Sequence, residues 1–166
     1  MAGKYIELNN GQLAEKAALS SSAGAADANK IVSTNGEGKL DVTLMPDGIA
    51  ADVAVLPASE DLSAGQLVNV FDDSGTAKAR KADASNGRRA VGFVKAAVTS
   101  GQNATVFKEG TMAGSGLTIG SPTYLGTNGA ATQTAPSTTG HISQEIGVAI
   151  SATEIEFEPQ QPVTLA

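Results

Sequence analysis

The chain has 166 residues, a formal net charge of −6 and a pI of about 4.7, with 41% hydrophobic residues, 4% aromatics, no Trp and no Cys. The absence of cysteine excludes disulfides and thiolate metal sites, and the negative charge argues against nucleic acid or an anionic membrane as the main partner. No apolar run approaches the ~20 residues of a membrane helix, and the N-terminal MAGKYIELNNGQ lacks a signal-peptide core. These features predict a soluble chain with one domain, or one domain with an arm, packed from small aliphatic side chains.

Residues 1–55 are predicted to form an extended N-terminal arm. Leu13 to Leu19 could make one or two helical turns, too short to be stable alone. Ser21 to Ile49 is rich in small residues, with turns predicted at Asn35-Gly36 and Asp47-Gly48 and with apolar residues that follow neither a helix nor a strand period. We expect such an arm to become ordered against another surface. Its candidate contact residues are Tyr5, Ile6, Leu8, Ile31, Val32, Leu40, Val42, Leu44, Met45 and Ile49.

Residues 56–166 read as short strands separated by turns. The segment Gln66 to Phe71 alternates, and it is followed by the turn Asp72 to Gly75 and by an alternating basic segment, Thr76 to Asp83. This pattern predicts a β-hairpin. The run Ala90 to Ser100 is apolar and rich in valine, which favours a mostly buried strand over a helix.

Further strands are predicted toward the C-terminus. Asn103 to Met112 is expected to pair with the preceding apolar run across Ser100-Gly101-Gln102, Thr123 to Ala135 contains a hairpin, and His141 to Pro159 holds the last two strands. In the sequence TEIEFEP, two apolar residues alternate with three glutamates, as in a strand with one buried face. Turn signals recur every 8–12 residues or so, which predicts an all-β fold, a small β-barrel or β-sandwich.

Charge is unevenly distributed along this region. Basic residues concentrate between positions 78 and 95, whereas from Gly101 onward the sole cation is Lys108 among five glutamates. Two interpretations stay open: two solvated faces, or a basic side that docks on an acidic side, within an oligomer or on a scaffold. The second adds Arg80, Arg88 and Arg89 to the candidate interface residues.

The residues give no pattern for catalysis or for a cofactor. The single histidine, His141, lies at a predicted strand entry and has no metal ligands at matched spacing. The stretch GEGKLD lacks the Ser or Thr of a phosphate-binding loop, and Asp72 to Gly75 lacks the later glutamate of a calcium loop. Glu154, Glu156 and Glu158 suit a solvated strand better than a sugar-cleaving pair, because aromatics are scarce. We therefore expect no enzyme, no metal and no cofactor.

Several segments resemble virion proteins of tailed bacteriophages. The matching stretches are LSAGQLVNVFDDSGTAKARKADA, RRAVGFVKAAVTSGQNATVFKEG and LTIGSPTYLGTNGAATQTAPSTTGHISQEIGVAISATEIEFEP, with AGAADANKIV and GKLDVTLMPDGI in the arm. Together they span about residues 20 to 160. They are similar to small head decoration (cement) proteins and to head-fibre modules.

The resemblance implies a structural protein that binds the outside of a phage capsid and stabilises it. Its implied partners are the major capsid protein and further copies of itself, a trimer first and a dimer second, with no nucleic acid and no membrane. Its implied place is the capsid surface of the virion, after synthesis in the host cytoplasm. The alternative is a tail-fibre or head-fibre module that binds a host surface receptor.

Overall fold

A computed structural model describes residues 3–45 and 52–166, and the chain divides into two compact units, Met1–Ala50 and Ala51–Ala166. The predicted all-β class is confirmed, since both units are built from strands and the only helices described are three-residue 3₁₀ turns. The division falls five residues before the predicted boundary at 55, because strand β3 (Val53–Pro57) already belongs to a sheet of the second unit.

The first unit begins with a β-hairpin. Strands β1 (Lys4–Asn9) and β2 (Gln12–Ala17) pair antiparallel, and their two-residue tip, Asn10-Gly11, has φ angles of 48° and 80°. Positive φ at both tip residues is the requirement of a type I′ turn, which Asn-Gly favours. The helical turn predicted for Leu13 to Leu19 is therefore wrong, because the tight turn commits the following residues to strand pairing.

The rest of the first unit is held by short-range turns. Two 3₁₀ turns span Ala25–Asp27 and Val42–Leu44, and Leu19 forms an isolated parallel bridge with Val32. The turn predicted at Asn35-Gly36 is confirmed by a hydrogen bond from the Gly38 amide to the Asn35 carbonyl, 3.0 Å. The turn predicted at Asp47-Gly48 lies outside the described residues.

The second unit contains two five-stranded antiparallel sheets. The first has the order β3-β7-β6-β4-β5 and curls until Ala58 bridges Ala79. Besides β3, its strands are β4 (Leu67–Asp73), β5 (Thr76–Lys81), β6 (Gly92–Val94) and β7 (Asn103–Phe107). The predicted hairpin is confirmed as β4 and β5, which are joined by Ser74-Gly75 with φ angles of 56° and 87°. A 3₁₀ turn at Ala84–Asn86 follows β5.

The second sheet has the order β10-β9-β12-β13-β8, and a separate two-stranded sheet pairs β11 with β14. The strands are β8 (Gly110–Ala113), β9 (Pro122–Leu125), β10 (Ala131–Thr132), β11 (Ile142–Ser143), β12 (Glu145–Ala149), β13 (Glu154–Phe157) and β14 (Val163–Thr164). The hairpin predicted in Thr123 to Ala135 is confirmed by the pairing of β9 with β10.

Two predicted strands differ from the observed ones. The run Ala90 to Ser100 forms a strand only at β6, although β6 pairs with β7 as predicted. The single strand predicted for Asn103 to Met112 is two strands, because the chain passes from the first sheet to the second at Lys108-Glu109. The alternation of apolar and polar residues breaks at Phe107 to Glu109, next to this switch, and the prediction did not use that break.

The core of the second unit has two parts. Between the sheets, Phe93 lies with its ring centroid 5.3 Å from that of Phe157 in an edge-on contact, and Met112, Ile146 and Ile155 surround them. A second cluster fills the inside of the curled first sheet; it consists of Ala58, Leu62, Val68, Ala79, Val94, Ala104 and Val106. Strand β4 contributes to both, because Leu67 and Val68 point to opposite faces.

Gly147 marks an irregularity in the second sheet. The register between β12 and β9 shifts between Glu145 and Gly147, and Gly147 has a φ of 139°. A Cβ at this position would lie 1.8 Å from the Glu156 carbonyl oxygen. Only glycine satisfies both the backbone angle and this close approach.

Candidate interaction surfaces

Exposed apolar side chains dominate the described part of the first unit. None of residues 3–45 is buried, and eight of its large apolar side chains are exposed. We name them the N-terminal apolar surface: Ile6, Leu8, Leu13, Ile31, Val32, Leu40, Val42 and Met45. Seven of the eight were predicted as contact residues. Leu13 was not, because it was assigned to a helical turn.

One face of the hairpin carries the most exposed members of this surface. Leu8 lies directly opposite Leu13 in the β1–β2 register, and Ile6 is two residues from Leu8 on the same face. Their exposed fractions are 62% for Ile6, 71% for Leu8 and 78% for Leu13. An isolated two-stranded hairpin is marginally stable in water. Covering this face would therefore stabilise the hairpin, by about 1.5–3 kcal/mol for each side chain that becomes fully buried.

Ion pairs frame the hairpin on both faces. Lys4 pairs with Glu15 at the base of the apolar face, and on the other face the Lys16 ammonium lies 2.7 Å from Glu7. The hydrogen bond and charge of Glu7 raise the pKa of Lys16. Tyr5, predicted as a contact residue, is half-buried on this second face, opposite Lys16. Exposed ion pairs of this kind contribute little stability.

Side-chain oxygens hold the remaining turns of the first unit. The Asp27 carboxylate accepts hydrogen bonds from the Ala23 amide and from the Lys30 ammonium, both at 2.6 Å. The Asp41 carboxylate accepts from the Thr43 amide at 3.0 Å and from its hydroxyl at 2.6 Å. These bonds shape residues 22–43 without burying apolar area.

The same contacts favour the ionised carboxylates. The hydrogen bonds from Lys30 and then from Ala23 lower the pKa of Asp27, and those from the Thr43 hydroxyl and amide lower the pKa of Asp41. Leu44, another predicted contact residue, is half-buried next to this turn. Ile49 lies outside the described residues.

The predicted arginines lie in the second unit, and Arg80 is the most firmly held. Asn69 and Arg80 are direct partners in the β4–β5 register, and the Arg80 Nε–H donates to Asn69 Oδ1 at 2.9 Å. The guanidinium carbon lies 4.2 Å from the centroid of the Phe71 ring. Burial, and then the charge of Arg88, lower the pKa of Arg80. The arginine is thus fixed by an amide on one edge and an aromatic ring on its face.

Arg88 and Arg89 lie in the turn that follows β5. Asp83 and Arg88 form an antiparallel bridge, and the Arg89 carbonyl accepts a hydrogen bond from Asn69 Nδ2 at 2.9 Å. Within residues 3–45 and 52–166, every ion pair closer than 4.0 Å uses a lysine and none uses an arginine. We name Arg80, Arg88 and Arg89 the arginine cluster.

Asp83 joins this turn to the β9–β10 hairpin. One carboxylate oxygen accepts from the Ser85 amide at 2.9 Å and from its hydroxyl at 2.6 Å, and the other accepts from the Asn128 amide at 3.1 Å. Burial alone would raise the pKa of Asp83, but the Ser85 and Asn128 bonds outweigh it, so the pKa lies below its usual value. Sequence reasoning did not identify this residue, because its partner at position 128 is 45 residues away.

The predicted outward glutamates form an acidic strand. On β13, Ile155 and Phe157 are buried whereas Glu154 and Glu156 are exposed, as the alternation predicted. Glu158 follows, also exposed. Val148 of β12 lies opposite Glu156 and is partly exposed on the same sheet face. We name Glu154, Glu156 and Glu158 the glutamate strand.

His141 immediately precedes β11, at the strand entry predicted for it. Among the residues that the structure describes, no group of three His, Cys, Asp or Glu side chains could hold a metal ion. In the same residues we find no helix with the length and apolar character to cross a membrane.

Comparisons of the chain with protein-family models, with curated proteins and with solved structures find no match.

Proposed function

We propose that this chain is a structural virion protein that binds the outside of a phage capsid and stabilises it. The observation that carries the proposal is the exposure of eight large apolar side chains in a segment where no side chain of residues 3–45 is buried. Large exposed apolar patches are typical of protein interaction sites. The resemblance to head decoration proteins supports the capsid as the surface that these side chains would contact.

In this proposal the two units have different tasks. The first unit attaches the protein, and the second unit, with its own core, projects from the shell. Copies that contact several capsid subunits and one another gain from multivalency, so many weak contacts sum to a strong grip. A trimer on the shell is the first expectation and a dimer the second.

The test is binding to mature heads of the phage that encodes the chain. The triple variant Ile6→Ser, Leu8→Ser, Leu13→Ser removes the apolar side chains of the exposed hairpin face and leaves the Asn10-Gly11 turn unchanged. We expect head binding, measured by co-sedimentation, to weaken by at least about tenfold, because each lost apolar contact costs about 1 kcal/mol or more. The matched control, Glu7→Gln with Lys16→Gln, alters the opposite face of the same hairpin and should bind normally.

Two results would overturn the proposal. The first is full occupancy of heads by the triple variant. The second is a copy number in purified virions of a few dozen or fewer, which would favour the fibre module that binds a host receptor.

A further inference from the structure

The Arg80 side chain is prepared to bind a carboxylate. Its Nε–H is occupied by Asn69, and its face is covered by Phe71. Within the described residues, its two terminal NH₂ groups donate to no protein acceptor. A guanidinium binds carboxylates through two parallel N–H donors. A fixed guanidinium loses less side-chain entropy on binding, so its geometry favours such a partner.

Asn69 itself is locked in position. The side chain is 7% exposed, and its Nδ2 donates to the Arg89 carbonyl while its Oδ1 accepts from Arg80. Both ends of the amide are therefore satisfied, and the side chain cannot turn without breaking a partly buried hydrogen bond. This arrangement fixes the direction of the Arg80 guanidinium.

Carboxylates near the arginine cluster are already used. Glu60 is close enough for its charge to act on Arg80, but it accepts a hydrogen bond from the Lys81 amide at 2.9 Å and lies 3.8 Å from the Lys81 ammonium. Asp83 is occupied by Ser85 and Asn128. The charges of Glu60 and Asp83 act on Arg80 and Arg88 from a distance, but within the described residues no carboxylate lies within 4.0 Å of the three guanidiniums. The arginine cluster can therefore still form direct ion pairs.

The glutamate strand carries negative charge. Its three carboxylates take part in no ion pair within the described residues, and they share the sheet face with Val148. A carboxylate for the Arg80 guanidinium and an aliphatic contact for the Phe71 ring thus occur together on one face of the sheet, on neighbouring strands. The arginine cluster is positive and the glutamate strand is negative, so the two surfaces have complementary charges.

We propose that two copies of this chain associate head to tail, with the arginine cluster of one copy bound to the glutamate strand of the next. The Arg80 guanidinium binds one glutamate carboxylate through its two terminal NH₂ groups, and Arg88 and Arg89 bind the neighbouring ones. Because the two surfaces share no residue, the contact is heterologous, and such contacts close into rings when the rotation between copies permits. The inference deepens the self-association in the proposed function, but its test needs no capsid, so the contact and the capsid binding can fail separately.

The test is sedimentation of the full chain over a concentration range, with reciprocal charge reversals. Variant one carries Arg80→Glu and Arg88→Glu, and variant two carries Glu154→Lys and Glu156→Lys. We expect each alone to associate at least about tenfold more weakly than the unaltered chain. The quadruple variant, and an equimolar mixture of the two double variants, should recover association. High salt, where the Debye length falls to about 3 Å near 1 M, should weaken every one of these assemblies.

A control separates the contact from total charge. Lys39→Glu with Lys108→Glu gives the same net charge as variant one, −10, since each reversal subtracts two from −6. Because Lys108 lines the same cavity as Arg89, the decisive charge control is Lys4→Glu with Lys39→Glu, which has the same net charge and alters only the first unit; it should associate like the unaltered chain. Variant two alters only exposed side chains, so it tests the contact even if Arg80→Glu disturbs the Phe71 packing.

Three outcomes would overturn the inference. One is an unaltered chain that stays monomeric up to about 1 mM. The second is undiminished association of either double variant. The third is loss of association in the quadruple variant and in the mixture alike, which would mean that the two surfaces do not face each other.

Discussion

The two units use the same kinds of residue in opposite ways. In the described part of the second unit, residues 52–166, nineteen hydrophobic residues are buried, and they pack within and between two sheets. In the described part of the first unit none is buried, and carboxylate and amide oxygens hold the turns. The difference shows that apolar composition alone does not decide which residues form a core. A core forms where a second layer of strands packs against the apolar face of a sheet and buries it.

The comparison is tested most strongly by removing one ring from the second unit. Phe157→Ala should lower the free energy of unfolding by about 3–5 kcal/mol, because it leaves a cavity beside Phe93. Chemical denaturation followed by circular dichroism measures the change. Leu13→Ala is the matched control in the first unit and should change stability by no more than about 0.5 kcal/mol. Equal losses from both substitutions would show that Leu13 is packed in solution and would contradict the contrast.

A smaller effect is expected at Asp83, where the second unit depends on polar contacts. Asp83→Ala leaves the Ser85 and Asn128 amides without their acceptor, so we expect a loss of about 1–3 kcal/mol in the free energy of unfolding. Asp83→Asn keeps one acceptor oxygen and should lose less. If both variants unfold like the unaltered chain, then the Asp83 contacts do not hold the β9–β10 hairpin in place.

The first-unit hairpin offers a backbone test. Gly11→Ala places a Cβ at a φ of 80° and should destabilise the hairpin by about 1–2 kcal/mol. Loss of the cross-strand amide contacts in NMR spectra would report it, with unchanged unfolding of the second unit. Gly36→Ala is the control, since its φ is not in the left-handed region and open space surrounds it. Hairpin contacts that survive in Gly11→Ala would contradict the assigned turn.

The smallest effect is the pH dependence expected at two carboxylates of the first unit, Asp27 and Asp41. The pKa values of Asp27 and Asp41 are lowered in the folded chain, so their contribution is complete above the unfolded pKa of about 3.9. It is lost as the pH falls through the lower folded values. Exchange protection of the Ala23 and Thr43 amides should fall in that range. Asp27→Asn and Asp41→Asn should each remove the pH dependence at one site, and protection that is constant down to pH ~2 would contradict the assignment.

Local signals predicted much of the second unit. The turns at Ser74-Gly75 and in residues 127–129 fixed two hairpins, and alternation fixed the buried face of β13. The register of the β4–β5 hairpin also places Asn69 opposite Arg80, so this contact could have been predicted from the sequence. Other contacts could not have been predicted, because they join residues that are distant in the chain. Examples are those of Asp83 and those of the buried Gln144, which forms hydrogen bonds with Ala90 and Gln160.

In the first unit a local turn signal was present, but the prediction gave it too little weight. The Asn10-Gly11 turn signal was present, although neither flanking segment, KYIELN or QLAEKA, alternates strictly between apolar and polar side chains. The good helix formers Leu13 to Ala18 outweighed it in the prediction, although a type I′ turn determines its flanks more strongly than propensity does. With the turn recognised, Leu13 would have joined Ile6 and Leu8 among the predicted contact residues. The order of residues 31–45 could not be predicted, since it rests on individual side-chain acceptors.

One continuous segment passes from the first sheet to the second at Lys108-Glu109. This connection should make the unfolding of the second unit cooperative. Neither sheet can lose this segment without also disturbing the other, so the second unit should melt in a single transition. Its assembly is also delayed, because β3 must wait for β7, some fifty residues later, before it has a partner. Such distant pairing slows folding, and a nascent chain released before residue 113 would expose both unfinished sheets to aggregation.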